Sequence, residues 1–152
     1  MIKLKLITII SVATLLLSCG GDTPVTESTT PEVKAEEPVV SDDPMKNKGL
    51  GPISNIELAD IDQAIVAEGL KIFTEKCTAC HNVGKRFVGP DLTGVTTRRT
   101  PEWIMNMILN PENMVANDPI AKGLLGEYIA PMANQNLTEE EARKVLEYFR
   151  TL

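Results

Sequence analysis

Three residues in one short run could do chemistry together. They are Cys77, Cys80 and His81, in the order Cys77-Thr78-Ala79-Cys80-His81. Two thiols three positions apart can bond to the two vinyl groups on one edge of a porphyrin, and a histidine directly after them can ligate the iron from one side. His81 is also the only histidine in the chain, so no other imidazole competes for that position. The spacing therefore predicts one covalently attached haem.

The cysteine pair has two other interpretations. A structural zinc site requires four Cys or His ligands, and only the three residues of this run cluster, because Cys19 lies far upstream. A thioredoxin-like dithiol is expected next to a βαβ unit, and no convincing strand alternation is present in the sequence. Both alternatives stay open at this point, and the haem interpretation is favoured.

The N-terminal residues predict export from the cytoplasm. Lys3 and Lys5 precede an apolar stretch, residues 6–17, which is too short to cross a bilayer as a stable helix. The run Leu16-Leu17-Ser18-Cys19 resembles a bacterial lipobox. This resemblance implies that residues 1–18 are a lipoprotein signal peptide and that Cys19 is lipidated. The alternative is an ordinary signal peptide with an unrelated cysteine.

Residues 19–57 are expected to form an acidic tether. The stretch is rich in Pro, Thr and Glu and contains no aromatic residue, a composition typical of disordered segments. Seven acidic and three basic residues occur in 20–48, and fourteen acidic and ten basic residues occur from Gly49 onward. So acidic a chain is a poor candidate for binding nucleic acid. It suits a partner with a basic docking patch.

Residues 58–152 are expected to form one small all-α domain. A first helix is predicted from about Asp60 to Lys76, and a second from the cap Thr100 to the Asn110-Pro111 pair. A short helix or turn follows Pro111, and the last helix begins at the capping-box pattern Thr138-Glu139-Glu140-Glu141. The apolar stripe predicted for the first helix consists of Ile61, Ile65, Val66, Leu70 and Phe73.

Residues 58–152 resemble a class I c-type cytochrome. In that family a glycine and an aromatic residue precede the haem motif at fixed offsets, and Gly69 and Phe73 lie eight and four positions before Cys77. Val145 and Tyr148 match the positions of the last helix that pack against them. The resemblance implies a small cytochrome c fold, with three to five helices around one covalently bound haem c, preceded by a disordered tether.

Two further segments match the family. Val88-Gly89-Pro90-Asp91-Leu92 is similar to its Gly-Pro-x-Leu loop, and this implies that the Pro90 carbonyl accepts a hydrogen bond from the His81 ring. Arg98 falls near the position of an arginine that pairs with a haem propionate. Arg99 matches that position equally well.

The resemblance also points to the sixth iron ligand. Pro131-Met132 is similar to the Pro-Met segment that supplies this ligand before the last helix, so His81 and Met132 are the expected metal ligands. Met114, predicted to lie in a loop, is the alternative. Met105 and Met107 fall on a predicted helix, where methionine usually fills the core, and Met45 falls in the tether.

The cytochrome resemblance implies a one-electron carrier, not an enzyme. The lipobox resemblance adds an anchor to a bacterial membrane through lipid, with the haem domain facing the periplasm. Redox proteins are the expected partners, with a terminal oxidase or a nitrous oxide or nitrite reductase as examples of acceptors. Four basic residues are expected near the exposed haem edge, where they either help docking or form only a solvated basic face: Lys85, Arg86, Arg98 and Arg99. The alternative is a haem-based sensor or haem enzyme with a displaceable sixth ligand.

Overall fold

The computed structural model describes residues 39–152. Cys19, the predicted signal peptide and the first half of the predicted tether lie outside the described residues. Residues 39–152 contain no strand, and the predicted all-α class is confirmed. Their α-helices are α1 (Gln63–Lys76), α2 (Pro101–Leu109), α3 (Pro111–Asn117), α4 (Pro119–Tyr128) and α5 (Glu139–Phe149), with one 3₁₀ turn at Val95–Thr97.

The close crossing of α1 and α5 supports the domain. A Cβ atom added at Gly69 would overlap the backbone oxygen of Lys144, so only glycine allows the two helices to approach this closely. Next to the crossing, the Phe73 ring lies 5.4 Å from the Tyr148 ring and 5.7 Å from the Phe149 ring. Offset or tilted aromatic pairs at such distances add to the stability gained by burial.

Only part of the apolar stripe predicted for α1 is buried. Gly69 and Phe73 are buried, whereas Ile65 and Leu70 are exposed by 36% and 44%. The reason is that α5 contacts α1 at Gly69 and Phe73, and the exposed side chains of Ile65 and Leu70 lie outside this contact. The helix also begins at Gln63, because the Asp62 side chain accepts from the Ala64 backbone N–H at 2.8 Å and caps it.

The starts of α2 and α5 agree with their predicted caps. Thr100 accepts a hydrogen bond from the Trp103 backbone N–H at 3.1 Å. Thr138 and Glu141 form the reciprocal capping box. The predicted short element after Pro111 is α3, and α4 follows it without having been predicted. Asp118 caps α4 by accepting from the Ala121 backbone N–H at 2.8 Å.

The predicted end of the tether, residue 57, requires a correction. Residues 47–57, which we call the strap, pack against α2 and α3. Asn47 is fully buried, and its Nδ2 donates to Oδ2 of Asp118 at 2.6 Å. Further along the strap, the backbone N–H groups of Ile53 and Ile56 donate to Asn106 Oδ1 and Glu102 Oε1.

Composition explains why the strap was assigned to the tether. The strap is rich in glycine and polar residues, a composition typical of a linker. Its three spaced apolar side chains, Leu50, Ile53 and Ile56, nevertheless pack against the core. The buried polar side chains of α2 then require donors, and the strap backbone supplies them, since buried polar groups are rarely left unpaired. The folded domain therefore begins at least ten residues before Leu58.

Candidate functional site

A cavity of about 460 Å³ lies between α2, α4, the segment that follows α1, and the segment that precedes α5. This volume falls in the range of cofactor pockets, about 300–1,000 Å³. Its wall is largely apolar, and it holds all three residues of the haem motif. The apolar part includes Leu92, Val95, Trp103, Ile104, Ile108, Leu124, Leu125 and Phe149.

The haem motif forms the wall that we call the proximal wall, residues 77–92. Cys77 ends α1, and its backbone N–H donates to the Phe73 oxygen at 2.9 Å. The N–H groups of Cys80 and His81 then both donate to the Cys77 oxygen, at 3.1 and 2.9 Å. This tight turn brings both sulfur atoms and the imidazole to the same cavity.

The ring of His81 is held by the loop that follows the motif. Its Nδ1 lies 3.2 Å from the carbonyl oxygen of Pro90, and a Cβ atom at Gly89 would lie 2.5 Å from its Cε1. With Nδ1–H donating to a carbonyl, Nε2 is left to ligate a metal. Burial lowers the pKa of His81, against the opposing effect of the Pro90 hydrogen bond. Imidazole therefore stays neutral at neutral pH, as iron ligation requires.

The Cys77 thiol is a poor candidate for thiolate chemistry. Burial raises the pKa of Cys77 to about 11, and the charge of Cys80 adds to the increase. Reactive or zinc-binding cysteines work as thiolates, which need a lowered pKa. Cys77 and Cys80 are not joined in a disulfide. A raised pKa at Cys77, beside an apolar cavity, fits a thioether bond to a porphyrin better than it fits a zinc or dithiol site.

A second part of the cavity lining, which we call the distal wall, comes from residues 119–137. Met132 lies on this wall, half-buried, and lines the cavity. Met114 does not line it: this side chain is fully buried, and its Sδ accepts from the Leu50 backbone N–H at 3.0 Å. Met107, on α2, does line the cavity. Met132 and Met107 therefore both line the cavity and Met114 does not, and the assignment of Met132 as sixth ligand stays a prediction.

The two arginines assigned to a propionate differ in their surroundings. The Arg98 guanidinium donates to the backbone oxygens of Thr93 and Asp91, the second at 2.8 Å. Arg99 lies over the Trp103 ring, 5.2 Å from its centroid. Burial and the charge of Arg98 lower the pKa of Arg99, and Asp118 partly opposes this. Both arginines line the cavity, so the assignment of Arg98 stays a prediction.

Several lining residues were not foreseen from the sequence. Trp103 lines the cavity while its Nε1 donates to Oδ1 of Asp118 at 3.1 Å. All of α4 was missed, although Asp118-Pro119 is a cap followed by proline at the first helical position, which is a helix start signal. The two glycines inside α4, Gly123 and Gly126, weakened that signal.

Ile129 is the second unforeseen feature of the distal wall. It ends α4 in the left-handed region, with φ of 59°, and its side chain is 85% exposed. A β-branched residue is rare there, and the conformation costs about 1–2 kcal/mol. Met132 lies three residues further along the chain.

A model of the cytochrome c family matches residues 66–152. The chain belongs to the cytochrome c family. Among solved structures, this cytochrome is similar to cytochrome c from Rhodothermus marinus, with 44% identity, a TM-score of 0.65, and coverage of 66% of this chain and 88% of that one. The engineered Rhodothermus marinus cytochrome c Rma TDE matches with 43% identity, a TM-score of 0.65, and coverage of 66% and 89%.

A third structure, Rma TDE bound to the carbene intermediate 1-ethoxy-1-oxopropan-2-ylidene, matches with 44% identity, a TM-score of 0.62, and coverage of 66% and 88%. Together these comparisons make the chain a class I c-type cytochrome that carries one covalent haem c. Family membership sets the zinc and dithiol alternatives aside. It also makes the protein a haem-based electron carrier.

The domains of this family are generally extracytoplasmic. Among residues 39–152, no helix combines the length and the apolar character that a membrane crossing requires.

Proposed function

We propose that this cytochrome is a membrane-tethered one-electron carrier whose iron is held by His81 and Met132. When bound, the haem supplies the one-electron couple, and the protein supplies ligands, burial and orientation. The observation that carries the proposal is the position of His81 and Met132, which line one apolar cavity from its proximal and distal walls. A thioether as sixth ligand raises the reduction potential and closes the iron to small molecules.

Replacement of Met132 tests the ligand assignment. Met132→Ala should abolish the weak near-infrared absorption band typical of Met–haem ligation, because no thioether then reaches the iron. Met107→Leu is the matched control, since Met107 lines the same cavity from α2, and it should keep the band. A band that persists in Met132→Ala and disappears in Met107→Leu would transfer the assignment to Met107.

The tether is the second part of the proposal. The lipobox-like run that ends at Cys19 supports a lipid anchor on a bacterial membrane, with the haem domain facing the periplasm. Cys19→Ser should move the haem protein from the membrane fraction to the soluble fraction, while wild type stays with the membrane. Retention of Cys19→Ser in the membrane fraction after a high-salt wash would contradict lipid anchoring.

The partners are proposed to be redox proteins that dock near the haem motif. Lys85, Arg86, Phe87 and Val88 lie together on an exposed stretch of the proximal wall. A mixed basic and apolar surface suits the small, transient interfaces of electron carriers. A terminal oxidase or a nitrous oxide or nitrite reductase would accept such electrons. Reduction of each purified acceptor by the reduced cytochrome, with its salt dependence, distinguishes them.

A second candidate function is a haem sensor or enzyme with a displaceable sixth ligand. Two observations favour it: a 44% identical engineered relative bound to a carbene intermediate, and the strained residue three positions before Met132. Carbon monoxide separates the candidates. Ready binding to the reduced protein at neutral pH would favour the sensor or enzyme, and its absence favours the carrier.

A further inference from the structure

Arg86 contacts the end of α4 in three ways. Its Nη1 donates to Oε1 of Glu127 at 3.1 Å, and its Nη2 donates to the backbone oxygen of the same residue at 3.1 Å. Its guanidinium carbon lies 4.1 Å from the centroid of the Tyr128 ring. The planar fork of arginine presents its donors in a fixed geometry and stacks on aromatic rings, whereas a lysine ammonium is a compact point charge without that geometry.

The loop that carries Arg86 belongs to the proximal wall and is attached to the haem motif. The Gly89 backbone N–H donates to the Cys80 oxygen at 2.8 Å, and the Phe87 N–H donates to the Gly89 oxygen at 3.1 Å. The same loop supplies the Pro90 oxygen that faces His81. The backbone next to Arg86 is therefore attached to the haem motif by hydrogen bonds.

Two features restrict the backbone between Tyr128 and Met132. The Ile129 backbone N–H donates to the Leu125 oxygen at 2.8 Å and holds Ile129 in the left-handed region. Pro131 restricts its own φ angle. Strained conformations persist where the surrounding contacts hold them. Glu127 and Tyr128, the residues that Arg86 contacts, come directly before the strained Ile129 in the chain.

We propose that Arg86 is a positioning residue for the sixth iron ligand. By holding Glu127 and Tyr128 against the proximal wall, it keeps residues 129–132 in the conformation that presents Met132 to the iron. Loss of these contacts allows the segment to move away, so that an added ligand reaches the iron more readily. This inference rests on the proposed ligation by Met132.

Binding of imidazole to the oxidised holoprotein tests the inference. Arg86→Ala should raise the apparent affinity about tenfold, in keeping with one exposed ion pair and one cation–π contact. Arg86→Lys should stay close to Arg86→Ala, because it keeps the charge but loses the fork. The control is Lys85→Ala, which makes the same charge change in the same loop. Lys85 is exposed, and its substitution should change the affinity by less than about twofold.

The Met132→Ala background separates the two proposals. There the affinity should be equally high with Arg or Ala at position 86, since no thioether remains to be positioned. A near-infrared band that survives in Met132→Ala overturns the ligand assignment itself. If that band is lost but Arg86→Ala binds imidazole no more tightly than wild type, the positioning role alone is wrong. Wild-type affinity in Arg86→Lys would overturn the role of the guanidinium fork, since the charge at position 86 would then be enough to hold the segment.

Discussion

The two walls of the cavity are built differently. The proximal wall is held by hydrogen bonds within residues 77–92, of which the His81–Pro90 contact spans nine positions and Gly89 N–H to Cys80 oxygen also nine. The distal wall depends on residues far away in the chain. Asp118, the cap of α4, binds Asn47 across 71 positions, and Glu127 binds Arg86 across 41.

This difference determines how far each wall can be predicted from the sequence. Local hydrogen bonds require fixed spacings, and fixed spacings form motifs. Long-range contacts require only suitable residues somewhere else, so they leave no pattern. We therefore expect substitution of the haem-motif cysteines in the proximal wall to abolish cofactor attachment outright, and substitutions around the distal wall to change stability and ligand access by degrees.

The largest effect is expected at the two cysteines. Cys77→Ser with Cys80→Ser removes both sulfur atoms that bond the porphyrin, so the chain should carry no haem after denaturing electrophoresis and haem staining. Cys19→Ser is the control and should stain like wild type. A stained band from the double variant would break the assignment of the proximal wall.

The next effect concerns the helix crossing that supports both walls. Gly69→Ala places a Cβ against the Lys144 backbone oxygen and should lower the free energy of unfolding by about 3 kcal/mol, measured by urea denaturation. Gly123→Ala is the matched control, because a Cβ there meets nothing within 4 Å. It should raise stability by about 0.5–1 kcal/mol. Equal effects at the two positions would mean that close approach of α1 and α5 is unimportant.

These contrasts indicate which parts of the fold and of the site can be predicted from the sequence. The caps at Thr100 and Thr138 and the haem motif are recognisable because each depends on neighbours within a few positions. The strap and α4 are not recognisable, because they depend on the hydrogen bond between Asn47 and Asp118, which are far apart in the sequence. The exposed face of α1 was misassigned for the same reason, since burial of Ile65 depends on what packs against it.

A smaller effect is expected from the strap. Asn47→Ala removes the donor at 2.6 Å from the buried Asp118 side chain and should lower stability by about 2 kcal/mol. Because Asp118 caps α4, amide hydrogen exchange should quicken in α4 and stay unchanged in residues 77–92. Asn55→Ala, at an exposed position of the strap, serves as control. Equal quickening in both walls would contradict the separate support proposed for the distal wall.

The smallest effect is expected at Met114, the sixth-ligand alternative that the structure does not support. Its Sδ accepts from the Leu50 backbone N–H, so Met114→Leu keeps the volume but loses a weak hydrogen bond. It should lower the free energy of unfolding by about 1 kcal/mol, measured by urea denaturation. The near-infrared Met–haem band should remain, because the side chain packs against the strap and not against the cavity. Loss of that band with unchanged stability would make Met114 the sixth ligand. Replacement of a side chain that serves only in the core should instead lower stability and leave the band in place.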